Sequence, residues 1–211
     1  MSDDAIPAAT LVVMRDAAAG PPELLMVERP RTMAFAAGAM VFPGGRIDAG
    51  DWSNGSDALI DAARTAAVRE TREETGLEVN EATLVPFARW RPNFDHHRRF
   101  DTFFFLAPCP ADPGPLRPQP GECERAEWIS AAEVLAQVAR GEASAIFPTL
   151  RNLERLAQFS SFAAARGQAL DIPVETITPW IEEINGERWL RIPDHLGYPV
   201  TRERLETAMR A

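Results

Sequence analysis

Arg69-Glu70-Thr71-Arg72-Glu73-Glu74-Thr75-Gly76-Leu77 is the stretch on which the reading of this chain turns. It closes a helical pattern running from Asp57 to Thr75, with Ser56 or Asp57 as N-cap and Gly76 as the stop signal. At about 100° per residue, with Glu70 as zero, Glu73 falls near −60° and Glu74 near +40°. Ala63, Ala66 and Ala67 fall on the same side, at about 20°, −40° and 60°, while Arg64 and Arg72 point away at about 120° and 200°. Three carboxylates therefore continue an inward-facing stripe of small apolar residues. Gathered there they repel one another, and burial raises their pKa values. A divalent cation resolves that conflict, and hard oxygen ligands suit Mg²⁺ or Mn²⁺. The competing reading is a solvated acidic helix end, with Arg69 and Arg72 in ordinary local ion pairs.

Upstream, Ala9–Met14 and Glu23–Glu28 read as strands, and Met40-Val41-Phe42 as a third, ending on the breaker Pro43-Gly44-Gly45. Glycines at such a turn let backbone groups approach a ligand or metal closely. The segment from Gly50 to Gly55 reads as a loop. Downstream, Leu84–Trp90 and Phe100–Ala107 are expected strands, and Phe103–Phe105 are assigned to the core. Six of the 18 prolines lie between 108 and 121, which predicts an irregular surface loop. Arg125–Ile129 reads as a strand, Ala131–Arg140 and Leu150–Arg166 as helices, Glu187–Ile192 as a strand, and a short helix is expected from Arg202.

Composition removes whole mechanisms. All 22 basic residues are arginine, so there is no Schiff-base lysine and no phosphate-loop lysine. A net charge of −9 argues against a nucleic-acid polymer as partner, since that requires a basic face. No apolar run is long enough to span a membrane, and the acidic start is unlike a signal peptide. Cys109 and Cys123 have no metal-type spacing, so the cytoplasm with two free thiols is the expected setting.

Together the glycine turn and the acidic helix resemble the Nudix hydrolase signature, a glycine, then a glutamate, then R-E-U-x-E-E-x-G-U with U aliphatic. Gly45 matches the glycine, Asp51 stands for the first glutamate, and Arg69 to Leu77 supply the rest. Thr71 occupies an aliphatic position, and 17 residues separate Asp51 from Arg69 where the family has roughly seven. A second register, with Gly55 and Asp61, keeps the usual spacing but ignores the glycine turn. The resemblance covers residues 8–165 and implies an α/β (α+β) fold, a mixed sheet sandwiched between helices. The expected organisation is a domain over 5–167 with a C-terminal extension over 168–211, packed on the core or on a dimer mate through Trp180, Trp189 and Tyr198.

The resemblance implies hydrolysis of a phosphoanhydride in a nucleoside diphosphate derivative. Glu70, Glu73, Glu74 and the Gly45 carbonyl would hold Mg²⁺ or Mn²⁺, with Arg69 orienting the glutamates. Glu70 is the first expected general base, with Glu122 or Glu124 behind it. Arg29, Arg46, Arg98, Arg99 and the Gly44 backbone are the expected substrate contacts. His96 and His97 read as loop residues, whereas Trp90 and Phe94 could stack on a base or belong to the core.

Leu25, Met26, Val27, Arg29, Met33, Gly38, Phe42–Gly45, Asp48 and the stretch from Trp90 to Phe105 are also similar to the branch of coenzyme A diphosphatases. Against that, Pro30 and Ala34 replace a serine and an arginine of its motif. Coenzyme A or an acyl-coenzyme A is the first expected substrate, ADP-ribose or a dinucleotide the next, and a homodimer is expected. The alternative is a Nudix-fold nucleotide-binding or regulatory module without catalysis.

Overall fold

A computed structural model describes residues 5–32, 36–52, 58–93 and 99–209. The expectations for Met33, Ala34, Gly55, Ser56, Asp57, Phe94, His96, His97 and Arg98 lie outside the described residues. In chain order, β1 (Ile6–Arg15), β2 (Glu23–Glu28), β3 (Met40–Val41) and β4 (Gly44–Arg46) precede α1 (Leu59–Thr75). Next come β5 (Val85–Trp90), β6 (Phe100–Pro108), β7 (Arg125–Ser130), α2 (Ala131–Ala139), α3 (Phe147–Leu156) and α4 (Phe162–Asp171). The C-terminal part holds β8 (Thr176–Ile177), β9 (Trp180–Ile184), β10 (Glu187–Arg191), β11 (Arg202–Arg204) and α5 (Leu205–Ala208).

β1 and β6 form the spine of the mixed sheet, parallel from Ile6 opposite Phe100 to Met14 opposite Pro108. Both faces of this pair are covered, which accounts for the unbroken apolar run Phe103-Phe104-Phe105-Leu106. Ala9, Leu11, Val13, Phe103, Phe105 and Ala107 pack against Ala63, Ala66 and Ala67 of α1. Val12, Met14, Phe104 and Leu106 pack on the opposite side, with Val134, Leu153, Leu156, Ala165 and Ala169 of α2, α3 and α4. The alternation of side chains along each strand assigns one set to each layer.

β2 and β4 share one edge of β1. Met14 pairs with Leu24 at one end, and Ala8, Ala9 and Thr10 pair with Arg46, Gly45 and Gly44 at the other. The glycine pair expected as a turn is thus a strand laid into the sheet below the end of α1. Gly44 is required there because a Cβ would collide with the Ala9 carbonyl and Thr10.

Several expectations are corrected. The helix expected over Leu150–Arg166 is two helices, because Ser161 caps α4 by accepting from the Ala164 N–H and the Asp16 carboxylate takes the Phe162 N–H. Arg202 begins a strand, with the terminal helix starting at Leu205. β9 and β10 form a hairpin around Asn185-Gly186, both at positive φ, with Ile184 opposite Glu187. Arg64, expected to point away, donates to the Leu84 carbonyl at 2.7 Å and lies over the Phe105 ring.

The C-terminal residues pack on the main layers. β8 adds a parallel strand beside β5, and Leu190, Ile192, Leu196 and Tyr198 are buried in the α2–α4 layer. The Tyr198 hydroxyl donates to Asn152 at 2.9 Å and accepts from the Trp90 indole N–H at 3.2 Å. Trp90 is core, 1 % exposed. Trp189 is half-buried, whereas Trp180 is exposed.

Candidate active site

α1 packs on β1 and β4, so its last two turns set the carboxylates of Glu70 and Glu74 against the two glycines of β4. The three glutamates are buried unequally. Glu74 is 7 % exposed, whereas the side chains of Glu70 and Glu73 are 16 % and 44 % exposed. The expectation of three inward carboxylates is corrected for Glu73, which stands at the rim with its carboxylate on Arg69, because the buried face of the helix is shifted toward Ala67, Thr71 and Glu74. Thr71, at the position where the signature has an aliphatic residue, is fully buried. Its hydroxyl is satisfied by the Ala67 carbonyl one turn back, at 2.7 Å.

Gly45 fits against Glu70 so closely that any Cβ would run into the Glu70 carboxylate. The Gly44 N–H donates to Glu74 Oε2 at 3.0 Å. Burial pushes the Glu74 carboxyl up to about 8, helped by the negative charges of Glu70 and Glu122 and opposed by the Gly44 amide and Arg29. Burial also raises Glu70, against the pull of Arg69.

Arg69 is the hub of the rim. Its Nε and Nη2 donate to the two oxygens of Asp51 at 2.9 and 2.8 Å, its Nη1 to Glu70 and Glu73 at 3.0 Å each, and its Nη2 also to the Arg46 carbonyl at 3.0 Å. Asp51 is 2 % exposed. Burial raises its carboxyl, but the Arg69 hydrogen bonds, the Asp48 amide at 2.7 Å and the Arg69 charge outweigh burial and hold it below the usual range. Gly45 against Glu70 and Asp51 on Arg69 are the contacts of the register that begins at Gly45.

Among the described residues no three carboxylate, imidazole or thiol groups converge closely enough to cage an ion in this arrangement. Glu70 and Glu73 are turned to Arg69 and Glu74 to the Gly44 amide. The donor set nonetheless fits a hard cation. A desolvated carboxylate faces two like charges, and the missing side chain at Gly45 lets the Glu70 carboxylate stand directly against the glycine backbone.

The remaining expected contacts are dispersed. Arg29 lies close enough to Glu74 to lower its pKa, and its buried Nε has no hydrogen-bond partner. Arg46 is exposed beside the glycine strand. Arg99 is exposed at the start of β6, and its Nη1 donates to Asn93 at 2.9 Å. Glu122 is exposed yet electrostatically coupled to Glu74, while Glu124 is exposed and held by its amide to the Glu28 carbonyl. The segment expected as an irregular surface loop partly clamps the end of α1, through Arg117 and Gln119 amides donating to the Thr75 and Glu74 carbonyls. Prolines on either side of those residues were the signal that announced it.

The sequence pattern of the NUDIX domain matches residues 5–150. The chain belongs to the Nudix family. A Nudix hydrolase from Alicyclobacillus acidocaldarius superposes with a TM-score of 0.70 at 27 % identity, over 79 % of this chain and 97 % of the other. The Nudix domain of Shewanella oneidensis NrtR, solved with ADP ribose, matches in fold with a TM-score of 0.54 at 18 % identity, over 73 % and 86 % of the two chains. No curated protein matches. The protein is a Nudix hydrolase, of a family that acts on nucleoside diphosphate derivatives and uses divalent metal ions. Among the described residues no helix is long and apolar enough to cross a membrane.

Proposed function

We propose that the chain is a Mg²⁺- or Mn²⁺-dependent diphosphatase that cuts the phosphoanhydride of a nucleoside diphosphate derivative. The observation that carries this is the buried Glu74 carboxylate, coupled to Glu70 and Glu122, with the Glu70 carboxylate standing directly against the Gly45 backbone. Glu70, Glu73, Glu74 and the Gly45 carbonyl would hold the cation. When bound, the cation neutralises phosphate charge and acidifies a water for attack on phosphorus. Arg69, fixed by Asp51, keeps the Glu70 and Glu73 carboxylates at the rim. Arg29 and the exposed Arg46 and Arg99 supply the cationic contacts to phosphate that lysine provides elsewhere. Glu70 is the first choice for the general base and Glu122 the second.

Coenzyme A or an acyl-coenzyme A heads the order of substrates, supported by Arg29 beside Glu74 and by the Phe42–Gly45 segment. ADP-ribose and dinucleotides follow. The free thiols of Cys109 and Cys123 support a cytoplasmic setting, and the exposed Trp180 and Ile181 support a homodimer.

The test is a panel of coenzyme A, acetyl-coenzyme A, ADP-ribose and diadenosine tetraphosphate with Mg²⁺ and with Mn²⁺, comparing wild type and Gly45→Ala. Wild type is expected to cleave at least one compound. Gly45→Ala, whose methyl enters the Glu70 carboxylate, should lose about a hundredfold in kcat while keeping its far-UV spectrum. No phosphorylated product from any compound, or full activity in Gly45→Ala, refutes the reading.

A further inference from the structure

Pro115-Leu116-Arg117-Pro118-Gln119-Pro120-Gly121-Glu122 runs from the proline-rich segment into the residue coupled to Glu74. Proline has no N–H and biases the residue before it toward an extended backbone. Along Arg117–Pro120 the only amides are therefore those of Arg117 and Gln119, each on a residue restricted by the proline that follows it. Both reach the end of α1. The Arg117 N–H donates to the Thr75 carbonyl at 2.7 Å and the Gln119 N–H to the Glu74 carbonyl at 3.0 Å. Those carbonyls belong to the last turn, which has no helical partners for them.

The contact is close. A Cβ on Gly76, itself at φ +73°, would come within 3.1 Å of Arg117 Cβ. Past Gln119 the chain turns at Gly121, at φ +90°, and folds back on the same peptide. The Gln119 carbonyl accepts from the Glu122 N–H at 3.2 Å and the Cys123 N–H at 3.0 Å. The Glu124 N–H then donates to the Glu28 carbonyl at 2.9 Å, next to Arg29. Gln119 is thus bonded on one side to the backbone of Glu74 and on the other to that of Glu122. Two carboxylate-bearing residues far apart in sequence are joined through one residue.

We propose that Pro118–Gly121 is a positioning strap that sets where the Glu122 carboxylate stands relative to Glu74, with Gln119 as the positioning residue. The role rests on the diphosphatase reading, since Glu122 matters only if the site turns over. A strap that merely capped α1 would stabilise the helix without affecting Glu122.

The test is Pro118→Gly/Pro120→Gly, alone and combined with Glu122→Gln, assayed on the best-cleaved compound of the panel. Glycine restores freedom at both positions and touches no catalytic side chain. Amide hydrogen exchange of Glu122 and Cys123 should accelerate about tenfold, with α1 amides near Ala66 unchanged. kcat should fall about tenfold with KM within twofold, and the strap variant should cause no further loss in the Glu122→Gln background. Unchanged exchange at Glu122 and Cys123 overturns the strap, whether or not the panel is cleaved. A kcat loss that persists undiminished in the Glu122→Gln background overturns its action through Glu122. Full activity of Glu122→Gln overturns it as well, without touching the diphosphatase reading, which fails only if no compound is cleaved.

Discussion

Arg69 and Asp51 meet side on, through two hydrogen bonds of 2.9 and 2.8 Å, with Asp51 almost wholly buried beneath the guanidinium. This contact ties the loop after the glycine strand to the helix that carries the glutamates.

Asp51→Asn should therefore damage both fold and activity. It removes the charge that compensates a partly buried guanidinium, at an expected cost of about 2–3 kcal/mol. It also frees Arg69 to reorient Glu70 and Glu73, and small misplacements of this kind lower turnover by about 10- to 100-fold. Asp61→Asn, from the other register, should leave kcat within about twofold. Chemical denaturation and steady-state kinetics on the pair decide the matter, and equal damage from both would contradict the Arg69–Asp51 role.

Glu74 supplies a pH dependence whose sign is fixed. Burial raises its carboxyl to about 8 from an ordinary 4.5, so the metal-free folded protein keeps a proton that the unfolded chain has lost. Its share of stability is complete below about pH 4.5 and is lost as pH rises through about 8. Glu74→Gln keeps an oxygen for the Gly44 amide and removes the titration. In EDTA its Tm should be less pH-dependent between 5 and 8 and should exceed that of wild type at pH 8, by a stability of about 1–3 kcal/mol at 1.4 kcal/mol per pKa unit. The same variant should lose the Mg²⁺-induced rise in Tm. Wild-type binding of Mn²⁺ at pH 7 should release a proton, read by calorimetry in buffers of different ionisation enthalpy.

Tyr198 tests how the C-terminal residues are anchored. Its hydroxyl serves Asn152 and Trp90 together inside the core, so Tyr198→Phe leaves both buried groups short of a partner. The expected loss is about 1–3 kcal/mol, seen as a Tm several degrees lower, with kcat unchanged. A Tm equal to that of wild type would show that the contact is replaceable by water or repacking.

What could be read from the chain were features that neighbours in sequence decide. The helix to Thr75 and its stop at Gly76 follow from a local period and one left-handed residue, and Gly76 does sit at φ 73°. The core position of Phe103–Phe105 follows from an apolar run that only a doubly covered strand tolerates. The Asn185-Gly186 hairpin is equally local, since two positive-φ residues between strands are its ordinary mark.

Other features depend on partners far along the chain. Gly44–Arg46 is a strand only because β1 offers the edge that β2 vacates. The break between α3 and α4 is sealed by Asp16, 146 residues before the amide it accepts from. The sequence by itself determined the carboxylate pattern, the glycine pair and the absence of lysine, hence the kind of chemistry. Only the tertiary structure decided that Glu74 is buried, that Glu73 is at the rim, that Asp51 holds Arg69 and that Gln119 links Glu74 to Glu122. Burial and backbone hydrogen bonding are properties of surfaces brought together, and residue spacing along one helix says which side a group faces but not what covers that side.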